Sequence, residues 1–391
     1  MKKRLYILAP NDRFNYGDLL FPYILTHYFS TKFDDIVYVS TTESDMSDRG
    51  GIKTKSYSEL FNVDVHWENH LIVAGGESLC VRWFTILSYV VPWVRLLYRL
   101  SWKVAKLPMC KSFPDYCASF IEHVFKTRTR FVFSVGKNEM PQFKSIVYNA
   151  LGGSRLLDSG ILDSLKVREI LNSVDFFTVR DKVTSLALNK YGIEHSICPD
   201  TAIMMSDIFS EQILLKSISM ASLRELRGTN YIFFQGSLDL WKKKYELAAS
   251  QLMALYNDTG CKICLCPIGM ALGHSDQVAL KNIASLLKCD YLSIEQPNIF
   301  DIMWLIKHSR MYVGSSLHGT ITAMSFNVPY IGYGPLKLKA YIKQWGETEE
   351  RFTEQNRITE TAKKMFNVIP CSDKQKSIVK QSFEDLKKLY E

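Results

Sequence analysis

An α/β protein of two domains facing a central cleft is predicted by three observations. Short apolar runs alternate with helical stretches along the chain, which argues for mostly parallel sheets covered by helices on both faces. These runs fall into two sets separated by the charged and polar stretch Ser206 to Thr229, which argues for two such domains. The unusual polar residues cluster at the carboxyl ends of the expected strands, where open parallel sheets bind their ligands. At 391 residues, 47% hydrophobic and 23% charged, the chain is long enough for two ordinary cores.

The elements follow in order. In MKKRLYILAPNDRF the run Leu5 to Ala9 ends at a proline, so it reads as a first strand rather than a signal peptide. Further strands of the first half are DIVYVS, HLIVAGG, RFVFSVG, DFFTVR and HSICPD. The second half offers NYIFFQG, CKICLCPIG, CDYLSI, RMYVGSS and PYIGYG. Between them DKVTSLALNKYG begins on an Asp able to cap a helix and ends on a Gly able to stop it. The expected division is an N-terminal domain over 1–210, a C-terminal domain over 228–345 and a helical tail over 346–391, lysine-rich from Ser372 onward.

The segment 81–111 is different. It carries six basic residues, no acidic residue and three tryptophans, the composition of a helix lying at a lipid interface. Its longest charge-free run, Trp83 to Val94, is 12 residues, short of the roughly 20 that span a bilayer. A core-facing amphipathic helix with a solvated basic face is the competing reading. The formal charge of +8 favours anionic partners, while the absence of a long Lys/Arg block argues against nucleic acid. Nine cysteines without framework spacing fit a reducing compartment. Cys261, Cys264 and Cys266 lie in an apolar strand whose alternate residues face opposite ways, so no metal set is expected there.

The strand ends carry the candidate chemistry. After the first strand come Asn15, Gly17 and Asp18, the last of which is also a candidate N-cap. Gly75 and Gly76 follow HLIVA and permit close approach of a ligand or a neighbouring backbone. Arg180 leaves DFFTV, either paired with Asp181 or Asp200 or aimed at a phosphate or carboxylate. In RMYVGSSLHGT a helix starting near His318 presents unpaired amides, reinforced by Ser315, Ser316 and Thr320, beside an imidazole able to exchange a proton.

Taken in order, NYGD, VAGGESL, TVRDKVTSLAL, CPDTA and VGSSLHGTITAMSFNVPYIGY resemble the polysaccharide pyruvyl transferases over residues 11–340. The resemblance implies two facing Rossmann-like domains, as in the GT-B glycosyltransferases. It also implies a reaction in which phosphoenolpyruvate and a sugar diol give a cyclic pyruvate ketal and inorganic phosphate. His318 takes the place of the general acid and Arg180 that of an anchor for the donor. Asn15, Gly17, Asp18, Gly75, Gly76, Asp200, Ser315, Ser316, Leu317, Gly319 and Lys337 are the expected substrate-binding positions. No nicotinamide, flavin or metal is implied. The acceptor would be a sugar, a lipid-linked saccharide or a polysaccharide, and the setting cytoplasmic, with peripheral contact at the inner face of the membrane through 81–111 as an open expectation.

Three positions depart from the family pattern. Ser316 stands where an arginine often precedes Leu-His-Gly, Glu77 replaces the third glycine of the glycine-rich turn, and Lys337 and Lys339 are loosely spaced after Tyr333. Two rival functions follow: a glycosyltransferase using a nucleotide sugar, and a non-catalytic glycan-binding relative of the same fold.

Overall fold

The computed structural model describes residues 1–271 and 275–391. Two six-stranded parallel sheets organise it. The first contains β1 (Lys3–Leu8), β2 (Asp35–Val39), β3 (Glu68–Ala74), β4 (Ser145–Leu151), β5 (Phe176–Val179) and β6 (Ser196–Ile197), in the spatial order β2-β1-β3-β4-β5-β6. The second contains β7 (Tyr231–Gln235), β8 (Lys262–Leu265), β9 (Tyr291–Ser293), β10 (Met311–Gly314), β11 (Tyr330–Tyr333) and β12 (Phe352–Thr353), in the order β9-β8-β7-β10-β11-β12. The pairings within both sheets are parallel, which is why the central strands are apolar on both faces.

One expected strand is corrected. RFVFSVG forms no strand of the sheet; Phe131, Val132, Phe133 and Val135 are buried in an irregular segment. The Tyr148 hydroxyl donates to the Val135 carbonyl at 2.9 Å, and the Ser134 hydroxyl accepts from the Cys80 amide at 2.7 Å. Side chains thus satisfy backbone and polar groups that a ladder would otherwise occupy. The strand's place is taken by β4, SIVYNAL, all seven residues of which are buried. In β8 the alternation holds: Cys261 joins the outer core of the second domain, whereas Cys264 and Cys266 join the core shared by both domains.

The tail is also revised. Phe352–Thr353 extends the second sheet as β12, and the helix Ile358–Met365 buries Ile358, Ala362 and Met365 in the outer core of the second domain. Only α8 (Asp373–Lys388) leaves that domain, and it crosses back to the first. Its stripe Val379, Phe383 and Leu386 has helical spacing and needs cover. Phe383 meets Tyr28 and Phe29 at ring-centroid distances of 4.8 and 5.3 Å, and Lys376 reaches Asp207 at 2.9 Å.

The segment 81–111 is not one helix. It divides into α2 (Trp83–Leu87), largely buried, and α3 (Pro92–Val104), whose boundary is a proline at the first helical position. A following helix, α4 (Phe113–Val124), packs against both. Among the described residues no helix is long and apolar enough to cross a membrane.

Candidate active site

Each sheet reverses its strand order at one point, between β1 and β3 in the first and between β7 and β10 in the second. Loops leaving such a point splay to opposite sides and open a crevice. His318 of the second domain reaches across to the first, as do Thr322, which meets the Tyr16 hydroxyl at 2.8 Å, and Trp345.

His318 lies in the first turn of α6 (Leu317–Ser325). Ser316 is the N-cap of that helix, its hydroxyl accepting from the Gly319 amide at 3.3 Å. The imidazole reaches the first domain, where Nε2 stands 3.4 Å from Asp200 Oδ2. A Cβ placed on Gly17 would lie 1.8 Å from His318 Nδ1. Gly17 has a φ of −66°, open to any residue, so glycine is required there for space and not for backbone conformation.

Asp200 also accepts from Arg180 Nη1 at 3.0 Å. Burial opposes ionisation of Asp200, yet His318 and Arg180 hold its carboxyl down at about 2. The other arm of Arg180, Nη2, donates to Glu77 Oε2 at 3.0 Å. Burial works against the Glu77 carboxylate as well, but Arg180 and the Ser154 amide keep it below the usual range. Glu77, which replaces the third glycine of the turn, is thus paired with a cation that it shares with Asp200. Asp181 takes no part in this network; its carboxylate caps α5 (Lys182–Asn189) by accepting from the Thr184 amide at 2.7 Å.

The remaining candidates divide by role. Asp18 does not cap a helix: its carboxylate accepts from Asn15 Nδ2 at 2.7 Å, and the 3-10 turn it begins has no side-chain cap. Burial pushes the Asp18 carboxyl above its ordinary range, against the pull of Arg13 and His318. Gly75 and Gly76 have φ of 104° and 49°, and a Cβ on Gly76 would lie 3.2 Å from Asp18 Oδ1. Ser315 is structural, its amide and hydroxyl both donating to Gln235 Oε1 at 2.9 and 3.2 Å. Gly319 makes room for Tyr312, whose hydroxyl would be 2.3 Å from a Cβ there.

Leu317, Lys337 and Arg180 line one cavity of about 20 Å³, together with Ser154, Asp181 and Tyr341. Lys337 sits in the first turn of α7 (Leu336–Trp345), which follows β11. Crowding by protein and the nearby Arg180 guanidinium lower the Lys337 ammonium from its usual value. Among the described residues Lys337 has no carboxylate within ion-pairing distance, so it is the cation of this cavity still open to a ligand. The seam is closed beside it by Trp345 Nε1, which donates to the Arg180 carbonyl at 2.9 Å.

The family model for polysaccharide pyruvyl transferases matches residues 15–335, most of the chain. The chain belongs to the polysaccharide pyruvyl transferase family. No curated protein sequence is a significant match. Among solved structures, UDP-GlcNAc 2-epimerase from Methanocaldococcus jannaschii superposes with a TM-score of 0.53 at 11% identity, covering 97% of this chain and 99% of that one. UDP-N-acetylglucosamine 2-epimerase from Rickettsia bellii gives 0.57 at 10% identity, covering 100% and 96%. At this identity the likeness establishes the GT-B-like fold alone.

In this pyruvyl transferase family member the sequence reading missed one part of the site. Gly152-Gly153-Ser154, at the carboxyl end of β4, supports the ion network: a Cβ on Gly152 would lie 2.7 Å from Arg180 Nε and 2.8 Å from Glu77 Oε2. The pair of glycines after the apolar run SIVYNAL is the sign of it in the sequence.

Proposed function

We propose that the protein moves pyruvate from phosphoenolpyruvate to a sugar diol of a polysaccharide or its precursor, forming a cyclic ketal. The observation that carries this reading is the pairing of His318 with Asp200 beside the Lys337 cavity, in a chain of this family. Asp200 and the bare Cα of Gly17 fix the imidazole from two sides, which suits a positioned proton donor. Lys337 and the first-turn amides of α6 suit the donor's phosphate and carboxylate.

The steps balance without a further reactant. His318 delivers a proton to the methylene carbon of the donor, leaving an oxocarbenium-like centre at the phosphate-bearing carbon. One sugar hydroxyl adds there and gives up its proton, which restores that of the imidazole. Phosphate leaves with the C–O bonding pair, the second hydroxyl closes the ring, and its proton departs with the phosphate. Asp18, buried on the turn that carries Gly17, is the group assigned here to an acceptor hydroxyl.

The test is phosphate release from phosphoenolpyruvate over a panel of sugar acceptors. Acceptor-dependent release is expected, with His318→Ala lowering kcat by about 10²–10⁴-fold and Lys337→Ala chiefly raising KM for the donor. Release that survives His318→Ala removes that residue from its role. Thermal stabilisation by a nucleoside diphosphate and not by phosphoenolpyruvate would favour the nucleotide-sugar glycosyltransferase instead.

A further inference from the structure

We propose that the α3–α4 hairpin docks the protein on an anionic lipid bilayer. Ten of the 23 large apolar side chains exposed among the described residues fall between residues 93 and 125. They are arranged and not scattered. On α3 the buried positions Val94 and Ser101 face the domain, while Leu96 and Leu100 are 71% and 52% exposed on the far side. On α4 the buried positions Pro114, Cys117, Ala118 and Ile121 face the domain, and Tyr116 and Phe120, four residues apart, are 73% and 55% exposed. Trp93 stacks on Phe125 with ring centroids 6.0 Å apart and joins the two stripes at one end, and Met109, 98% exposed, stands in the connection at the other.

The charge around this surface selects the occupant. Residues 81–130 hold nine Lys/Arg and two acidic residues, a net of +7 in a chain whose total is +8. Both acids, Asp115 and Glu122, are taken by Arg82 at 3.2 and 2.8 Å, so Arg99, Lys103, Lys106 and Lys111 keep their charge for a partner. A second copy of the chain docking on this face by two-fold symmetry would set basic rim against basic rim. An anionic membrane surface meets both properties at once, taking Trp and Leu side chains into its interfacial layer and lysines onto its headgroups. The structure makes this an in-plane contact, since neither helix is a membrane span. The inference does not rest on the catalytic reading.

The full-length chain is sedimented with vesicles of phosphatidylcholine alone and of an equal mixture with phosphatidylglycerol. The expected result is binding to the mixed vesicles that is at least about tenfold tighter than to the neutral ones and weakened by salt. Leu96→Ser/Leu100→Ser/Phe120→Ser and, separately, Lys103→Glu/Lys106→Glu/Lys111→Glu each reduce it by a similar factor while leaving the melting temperature unchanged, because all six side chains are exposed. Absence of binding to the mixed vesicles overturns the proposal. So does binding that both variants leave intact, or a dimer in sedimentation velocity that the apolar variant dissolves while vesicles are ignored.

Discussion

Gly17 shows how a residue without a side chain can set the position of one with a reactive side chain. Its backbone is ordinary, so Gly17→Ala keeps the loop but drives a methyl into the space of the imidazole 1.8 Å away. Displacement of His318 by about 1 Å predicts a fall in kcat of roughly 10²-fold, read as initial rates beside an unchanged circular dichroism spectrum. The carboxylates of Asp200 and Glu77 give a second prediction at this scale. Both titrate lower in the folded chain than in the unfolded one, so the stability they add is complete above the ordinary carboxylate range and is lost as pH falls through the folded values, about 2 for Asp200. Urea denaturation between pH 5 and pH 2 should show stability declining with acid, and Asp200→Asn should flatten that decline.

The element that decides the site is the turn from β10 into α6. Ser316, where the family pattern often has arginine, is accounted for as an N-cap, with the Gly319 amide donating to its hydroxyl. Ser316→Ala therefore predicts a loss of about 1 kcal/mol in urea denaturation, with KM for the donor within about twofold of wild type if Lys337 supplies the charge. The β-turn-α reading of this stretch was available from its sequence, because a buried apolar run, a serine and a glycine-punctuated turn are local signals. Local signals do not separate β4 from the equally apolar RFVFSVG. Two hydrophobic runs a few residues apart compete for one slot in the sheet, and only pairing with β3 and β5 chooses between them.

Across the whole molecule the two domains share one core, which contains Ile7 and Leu25 of the first and Tyr312 and Ile321 of the second. The last helix, α8, fastens this arrangement by laying Phe383 on the first domain. Phe383→Ala should lower stability by about 3–5 kcal/mol and expose the chain after β12 to limited proteolysis before the rest of the protein unfolds. Tail helices of this kind are recognisable as amphipathic from sequence, but their docking face belongs to residues some 350 positions away, Tyr28 and Phe29.

What the sequence by itself determined was the alternating α/β architecture, the division into two sheets, the capped start of α5 and the concentration of polar residues at strand ends, since each follows from periodicity and turn chemistry within a few residues. Tertiary structure alone decided that Arg180 is held by Glu77 and Asp200, that Gly17 yields its space to His318, that Lys337 stands without a carboxylate partner among the described residues and that the apolar stripes of α3 and α4 face outward. Those outcomes depend on which distant groups meet, and burial, pairing and exposure are set by that meeting and not by any local run of residues.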